Sequence, residues 1–285
     1  MRFFVLMRLR SILIALVWLT MVTSASAAPH ATPWPRWQAH DASSTKTIDN
    51  TAYNAFLARY VVVDHDGPNG VRYGAVTAAD IGRLGAYVAH LESLPIDDYS
   101  RNVQRAYWIN LYNAETLYLV AVHWPVDSIH DIDSGLFDAG PWDEKRLTVE
   151  GVRLSLDDIE HRILRPIWPD GMVHYGLNCA AMSCPSLRAR AYTGADVDQA
   201  LADNARAYIN SSQGVHLVHR RLIASRLYHW YAADFGGRAD VLAHLRRFAG
   251  PSLTARLTGR DRIDRYTYDW RVNSAANVAA TADTP

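Results

Sequence analysis

The side chains in this sequence that are best suited to enzyme chemistry fall close together in the second half of the chain. They comprise one carboxylate, two imidazoles and two thiols: Glu160, His161, His174, Cys179 and Cys184. A thiol becomes a nucleophile when a base lies within hydrogen-bonding reach, and exposed backbone amides can stabilise the oxyanion that its attack produces. Cys179 is therefore a candidate nucleophile, because it precedes a turn of small residues at the end of a predicted strand.

The pattern around Cys179 leaves both its base and its oxidation state open. Residues Met172–Cys179 are predicted to form a strand. On a straight strand His174 and Cys179 point to opposite faces, so His161, on a separate element, is the freer candidate base. An equally open alternative is that Cys179 and Cys184 are oxidised to each other, because the four intervening residues allow a disulfide and such bonds persist in oxidising compartments.

Glu160 is predicted to lie on the buried side of its helix. Ser155 is the expected N-cap of that helix, which runs to Arg165. Its apolar stripe consists of Leu156, Ile159, Ile163 and Leu164. At about 100° per residue Glu160 falls inside this stripe, and His161 falls at its edge. An inward carboxylate costs several kcal/mol unless it is paired or protonated, so Glu160 is expected to have a raised pKa or a polar partner, either an arginine or one of Asn110 and Asn113.

Asn110 and Asn113 share one face of the longest predicted helix, which spans 101–123 and is apolar nearly all round. Such a helix is expected at the centre of the domain, and inward amides there require hydrogen-bond partners. Two interpretations stay open. The asparagines either contact a ligand or tie down a loop or the end of a sheet. If they serve a ligand, they are expected to meet Cys179 and the Glu160–His161 pair around one pocket.

Helical periodicity and capping residues predict the remaining elements. Helices are expected at 52–60, 77–94, 101–123, 155–165, 195–209, 226–235 and 239–248. Two hairpins are expected, one joining 61–63 to 71–73 and one joining 146–149 to 152–154. Because helices and hairpins are interleaved without a strict strand-helix-strand order, the predicted fold class is α+β, a single domain with helices around a small, mainly antiparallel sheet.

The N-terminus reads as a secretory signal peptide over residues 1–27. Three arginines precede an apolar stretch that is shorter than a comfortable membrane span, and Ala25-Ser26-Ala27 fits the rule for signal peptidase. We therefore expect a periplasmic or secreted protein without a membrane anchor after cleavage. The rest is predicted to consist of an extended arm over 28–51, a globular domain over 52–273 and a disordered tail over 274–285.

Composition narrows the classes of partner. The chain has 29 basic and 29 acidic residues, and removing the three arginines of the signal peptide leaves 26 against 29. This balance argues against a nucleic-acid partner and leaves an unknown small molecule or peptide as the expected ligand. We expect no cofactor and no metal, because His216 and His219 are three residues apart in a β-rich stretch and point to opposite faces. Turn chemistry explains the acidic runs Asp64–Gly67 and Asp131–Ser134.

Four motifs in order resemble the domain of unknown function 547 family (DUF547), and they cover most of the chain from Tyr53 to Asn273. They are Ala106-Tyr-Trp-Ile-Asn110-Leu-Tyr-Asn113-Ala, Leu154 to Arg165, His174 to Pro185, and Tyr268-Asp269-Trp270-Arg-Val-Asn273. The family's activity is largely undefined. The resemblance marks positions that were also singled out above: Asn110, Asn113, Glu160, His161 and Cys179. In plant members the position of Cys184 resembles Ser or Asp whereas that of Cys179 stays Cys, which favours Cys179 as the site thiol.

Two functional hypotheses follow from the residues and the resemblance together. The first is a thiol-dependent hydrolase or transferase with Cys179, His161 and Glu160 as catalytic residues. Its substrate-binding residues would be Asn110, Asn113, His174 and Asn178. The alternative is a non-catalytic periplasmic binding or scaffold domain in which the same polar groups hold the central helix to neighbouring segments. Whether the protein is an enzyme stays open at this level.

Overall fold

The computed structural model describes residues 29–64, 68–132 and 140–282. The predicted signal peptide lies outside the described residues, as do parts of both acidic runs. Within these ranges no helix has the length and apolar character needed to cross a membrane.

About half of the described residues are helical when 3₁₀ and π segments are counted with the α-helices. The helices are α1 (Thr51–Tyr60), α2 (Ala78–Glu92), α3 (Arg101–His123), α4 (Arg165–Ile167), α5 (Val197–Asn210), α6 (Leu227–Trp230), α7 (Val241–Phe248), α8 (Pro251–Leu257) and α9 (Ala275–Ala282). Helix α3 occupies the centre, and 18 of its residues, Asn110 and Asn113 among them, are buried. Its predicted bounds and its central position are confirmed. Helix α2 begins as predicted, because the Thr77 side chain accepts a hydrogen bond from the backbone N–H of Asp80.

The strands are short and mostly antiparallel. They are β1 (Val61–Val62), β2 (Gly70–Val71), β3 (Leu147–Val149), β4 (Val152–Leu154), β5 (Val215–Val218), β6 (Arg221–Ser225) and β7 (Arg265–Thr267). β1 pairs with β2 and β3 with β4, which confirms both predicted hairpins. β5, β6 and β7 form a third sheet, in which β7 runs parallel to β6. The predicted α+β fold class is confirmed.

The predicted strand over Met172–Cys179 is wrong. Met172–Tyr175 forms a 3₁₀ helix, and irregular backbone follows it to Cys179. Val173, His174 and Tyr175 are all buried, so neither face of this segment meets solvent. A continuous apolar run of this kind has no alternation from which a strand and a buried helical turn can be told apart.

The expectation of a disordered tail is wrong for the residues that form α9. Val278 of this helix is 7% exposed and packs close to Gly70 of β2. The Ser274 hydroxyl accepts a hydrogen bond from the backbone N–H of Asn277 and so caps the first turn. The helix could not be predicted from its alanine-rich sequence, because a single buried valine does not define a helical periodicity of apolar residues.

The segment before α1 is not a free arm, although its only regular element is the 3₁₀ helix Pro35–Gln38. Trp37 is 2% exposed and meets the Trp108 ring of α3 edge-on, with ring centroids 5.1 Å apart. Burying an indole of this size anchors the segment to the core.

The segment is also bound to the helix that carries Glu160. Residues Asp158–Leu164 form a π-helix that continues into α4. Pro166 has no N–H, so it cannot donate to the carbonyl of residue 161 in π-type bonding or to that of residue 162 in α-type bonding. The arm supplies the missing donors. Thr32 N donates to the His161 carbonyl at 3.0 Å, and Trp34 N donates to the Arg162 carbonyl at 3.2 Å.

Candidate functional site

Cys179 and Cys184 are joined by a disulfide, the alternative that the sequence left open. Cys179 is partly exposed, whereas Cys184 is 3% exposed. The backbone N–H of Cys179 donates to the Cys184 sulfur at 3.1 Å. The two cysteines therefore differ in exposure, and their sulfurs differ in hydrogen bonding.

A ladder of asparagine side chains fixes the segment that carries this disulfide. Asn113 of α3 donates to the Gly176 carbonyl and accepts from the backbone N–H of Asn178, both at 2.8 Å. Asn178 donates to the Pro185 carbonyl at 2.8 Å and accepts from Asn273 at 3.1 Å. Asn113 and Asn178 thus have internal partners and position the cysteine loop, which is the tethering role that the sequence left open for Asn113.

Tyr268 places a hydroxyl against the disulfide. Its oxygen lies 3.3 Å from the Cys179 sulfur and 3.2 Å from the Cys184 sulfur. Neither sulfur carries a hydrogen in the disulfide, so the hydroxyl must be the donor in these contacts. Within the described part of the chain, no imidazole lies within hydrogen-bonding distance of either sulfur.

The carboxylate of Glu160 belongs to a neighbouring cluster of buried charges. Glu160 is 9% exposed, and its Oε1 lies 3.5 Å from Nδ1 of His174. The other ring nitrogen of His174, Nε2, lies 2.7 Å from Oδ2 of Asp234. Arg165 binds both oxygens of Asp234, with Nε–Oδ2 at 2.5 Å and Nη2–Oδ1 at 3.1 Å. The buried orientation of Glu160 is confirmed, but its predicted partner is wrong. The contact is made by an imidazole and not by an arginine or an asparagine.

The charges of this cluster determine the protonation of its members. Burial opposes ionisation of Glu160, but its contacts with His161, His174 and Arg165 prevail and lower its pKa to about 2. The pKa of Asp234 is likewise lowered to about 2, because His174 and Arg165 outweigh burial. Burial lowers the pKa of His174, yet its two carboxylate partners raise it overall. The expected alternative of a raised Glu160 pKa is therefore wrong, and the four side chains form two opposite-charge pairs.

His161 is buried beside this cluster with both ring nitrogens engaged. Nη1 of Arg165 lies 3.1 Å from its Nδ1, and Oδ1 of Asp157 lies 3.5 Å from its Nε2. Nδ1 of His161 also lies 3.9 Å from Oε1 of Glu160. In this arrangement neither nitrogen of His161 faces the cysteines.

Aromatic side chains connect the charged cluster to the disulfide. Tyr231 stacks on His174, with ring centroids 4.1 Å apart, and burial together with the nearby charge of Glu160 raises the pKa of Tyr231 well above its usual value. Burial, together with the nearby charges of Tyr208 and Glu160, raises the pKa of Tyr268 well above its usual value. Glu160 is therefore close enough to Tyr268 to act on it electrostatically.

Further aromatic rings surround Tyr268 at the surface. Its ring centroid lies 4.9 Å from that of Trp230 and 4.6 Å from that of Trp270. Trp270 in turn packs on His130 at 4.3 Å. All four residues are partly exposed, so bulky aromatic groups surround the tyrosine that contacts the disulfide.

Asn110 is engaged elsewhere. Its amide donates to the Tyr192 carbonyl at 2.8 Å and accepts from the Tyr192 N–H at 2.9 Å. It lines an apolar cavity of about 130 Å³ with Val103, Tyr107 and Gly194. The structure therefore brings Asn113 to the cysteine loop but does not place Asn110 there.

A comparison with known protein families gives a match over the segment that contains Glu160, His174 and both cysteines. Residues 96–209 match the model of a family described as a protein of unknown function, DUF547. The match covers 114 of the 285 residues. The family predicted from the sequence motifs is thereby confirmed, and its description assigns no activity. Glu160, His174 and both cysteines lie inside the DUF547 segment, whereas Asp234 and Tyr268 lie beyond it. No curated protein and no solved structure matches the chain.

Sequence reasoning missed four side chains that complete the two clusters: Arg165, Tyr231, Asp234 and Tyr268. Tyr268 stands in a motif that carried the family resemblance, so its position held a signal, but nothing local links it to the cysteines. No local signal pointed to Asp234, because it is 60 residues from His174 in the chain. Among the described residues no group of three or more His, Cys, Asp and Glu side chains could hold a metal ion.

Proposed function

We propose that this protein is exported and is a thiol-dependent enzyme of the transferase or hydrolase type whose reactive group is Cys179. The observation that carries the proposal is the asymmetry of the cysteine pair. Cys179 is the partly exposed residue of the pair and Cys184 is 3% exposed, while the Tyr268 hydroxyl contacts both sulfurs. Reactive cysteines are partly exposed and lie beside groups that stabilise their thiolate, whereas structural ones are buried and inert.

Export is supported by two independent features. The first 27 residues have the arginines, apolar segment and small-residue cleavage site of a signal peptide. The Cys179–Cys184 disulfide fits an oxidising compartment, where such bonds form and persist.

The geometry favours transfer at sulfur over hydrolysis within this proposal. Hydrolysis by a thiol requires a base that takes its proton, and the ring nitrogens of His161 and His174 are both held by other side chains. Transfer between sulfurs needs only a thiolate and an accessible partner. Glu160 and His174 then support the site through the position of Tyr268 and Tyr231, not through contact with a substrate.

Alkylation of the reduced protein under native conditions tests the proposal. Iodoacetamide should modify Cys179 in the Cys184→Ser variant at least about tenfold faster than it modifies Cys184 in the Cys179→Ser variant, because Cys179 is the more exposed of the two and alkylation requires access to the sulfur. Mass mapping identifies the modified residue, and circular dichroism checks that each variant is folded. Equal and slow modification of both variants would overturn the proposal.

The same experiment decides the competing function, a non-catalytic scaffold or binding domain. That reading is favoured by the asparagine ladder, in which Asn113 and Asn178 are fully used within the protein. The scaffold or binding function predicts that the disulfide resists reduction until the domain unfolds and that Cys179 does not react with iodoacetamide.

A further inference from the structure

We infer that the Cys179–Cys184 pair carries out thiol–disulfide exchange with a low-molecular-weight thiol, with Cys179 as the sulfur attacked and Cys184 as the leaving group. This inference rests on the proposed function, because it requires Cys179 to be reactive. It adds the substrate class, the direction of attack and a role for Tyr268.

The direction of attack follows from exposure. Cys179 is the partly exposed member of the pair, and Cys184 is 3% exposed. An external thiolate should therefore approach Cys179 more readily than Cys184. The rings of Trp230 and Trp270 pack on Tyr268, with centroids 4.9 and 4.6 Å from its own, so bulky side chains lie beside the hydroxyl that contacts both sulfurs. This crowding favours a compact thiol over a cysteine on the surface of a folded protein.

The identity of the leaving group follows from the hydrogen bonds. The Cys184 sulfur has two donors, the Cys179 N–H at 3.1 Å and the Tyr268 hydroxyl at 3.2 Å. When the disulfide opens, both donors can stabilise the negative charge that Cys184 acquires. Hydrogen bonds to a thiolate lower the pKa of the thiol, and a thiol of lower pKa leaves faster.

The exchange balances as two displacements. The first thiolate attacks the Cys179 sulfur and forms a mixed disulfide with it, while the Cys179–Cys184 bond breaks and its electron pair stays on Cys184. A second thiolate then attacks the external sulfur of the mixed disulfide and displaces the Cys179 thiolate. The small thiols are oxidised to their disulfide, and the two cysteines are reduced and take up one proton each. In the reverse direction the small disulfide is the oxidant.

Tyr268 is a positioning residue in this scheme, and its neighbour Tyr266 provides a matched control. The Tyr266 ring is partly exposed and packs on His229, with ring centroids 5.2 Å apart. Its hydroxyl has no contact with either sulfur among the described contacts. Removing the Tyr268 hydroxyl should therefore destabilise the reduced state, whereas removing that of Tyr266 should not.

Glutathione in its reduced and oxidised forms is the probe. The Cys184→Ser variant, incubated natively with glutathione disulfide, should trap one glutathione on Cys179, and the Cys179→Ser variant should react at least about tenfold more slowly. In the otherwise unmodified protein, Tyr268→Phe should lower the equilibrium constant for reduction of the Cys179–Cys184 disulfide by glutathione about tenfold, because one charge-assisted hydrogen bond is lost. Tyr266→Phe should leave it unchanged.

Two results would overturn the inference. One is a disulfide that glutathione reduces only after the domain has unfolded, and the other is an equal shift in Tyr268→Phe and Tyr266→Phe. If Cys179 is alkylated rapidly in Cys184→Ser but glutathione does not reduce the native disulfide, exchange fails while the proposed function survives. If Cys179 is inert in both experiments, both fail.

Discussion

Replacing Glu160 by glutamine removes one negative charge from the buried cluster while keeping the size of the side chain. In the wild-type protein two carboxylates, Glu160 and Asp234, face two cations, His174 and Arg165. The substitution leaves a net positive charge in a region where each of the four residues is no more than partly exposed. Breaking one member of a buried charge pair costs about 3–5 kcal/mol, because the remaining charge loses its compensation.

The expected loss in the free energy of unfolding is therefore about 3–5 kcal/mol at neutral pH. For a domain of this size each kcal/mol lowers the midpoint of thermal unfolding by about 2–4 °C, so a shift of at least about 6 °C should be seen. Urea unfolding of the oxidised protein, followed by circular dichroism, measures the free energy directly.

Glu144→Gln is the matched control, because it removes the same charge from a partly exposed ion pair. Glu144 pairs with Arg146, with Oε2 and Nη1 2.8 Å apart and side chains 30% and 37% exposed. Such a pair should contribute less than about 1 kcal/mol. The double variant Glu160→Gln/His174→Gln should be less destabilised than the sum of its single variants, by about 0.5–3 kcal/mol, since the partners interact directly. Additive single effects, or a Glu160→Gln loss no larger than that of the control, would refute the buried-charge argument.

Four further predictions can be checked separately. Stability should fall as pH drops from about 5 toward 2, because Glu160 and Asp234 have pKa values of about 2 in the folded state and higher ones in the unfolded chain. It should also fall as pH rises above about 6.5, because the raised pKa of His174 then no longer favours folding. Urea unfolding across pH measures both effects, and the His174→Gln variant should lose the one at high pH. Protein recovered from the periplasm should have an intact mass that lacks residues 1–27, and a mass that includes them would contradict the predicted cleavage. Thr32→Pro should destabilise the domain by about 1–2 kcal/mol by removing the donor to the His161 carbonyl, whereas Ala31→Pro, which removes no such bond, should have a smaller effect in the same assay. Asn113→Ala should cost about 2–4 kcal/mol and make the disulfide easier to reduce, while Asn110→Ala, which loses as many hydrogen bonds, should leave the rate of reduction unchanged.

The sequence by itself determined the features that depend on neighbours within a few residues. The bounds of the central helix, both hairpins and the Thr77 cap were correctly predicted, because periodicity and capping are local. The inward orientation of Glu160 followed from its angle to the apolar stripe. The spacing of the two cysteines allowed the disulfide but left it undecided.

Only the tertiary structure decided which groups meet. Glu160 required a polar partner, and that partner is His174. The incorrectly predicted strand over Met172–Cys179 gave no indication of this contact. Asp234 and Tyr268 come from segments 60 and 84 or more residues away from the groups they contact. Such contacts depend on how the elements pack. A local pattern indicates that a buried polar group needs a hydrogen-bond partner, but it does not indicate which distant residue provides that partner. The same reasoning separates Asn113 from Asn110: the periodicity is identical for both, and the loops that pack against the helix assign one to the cysteine segment and the other to Tyr192.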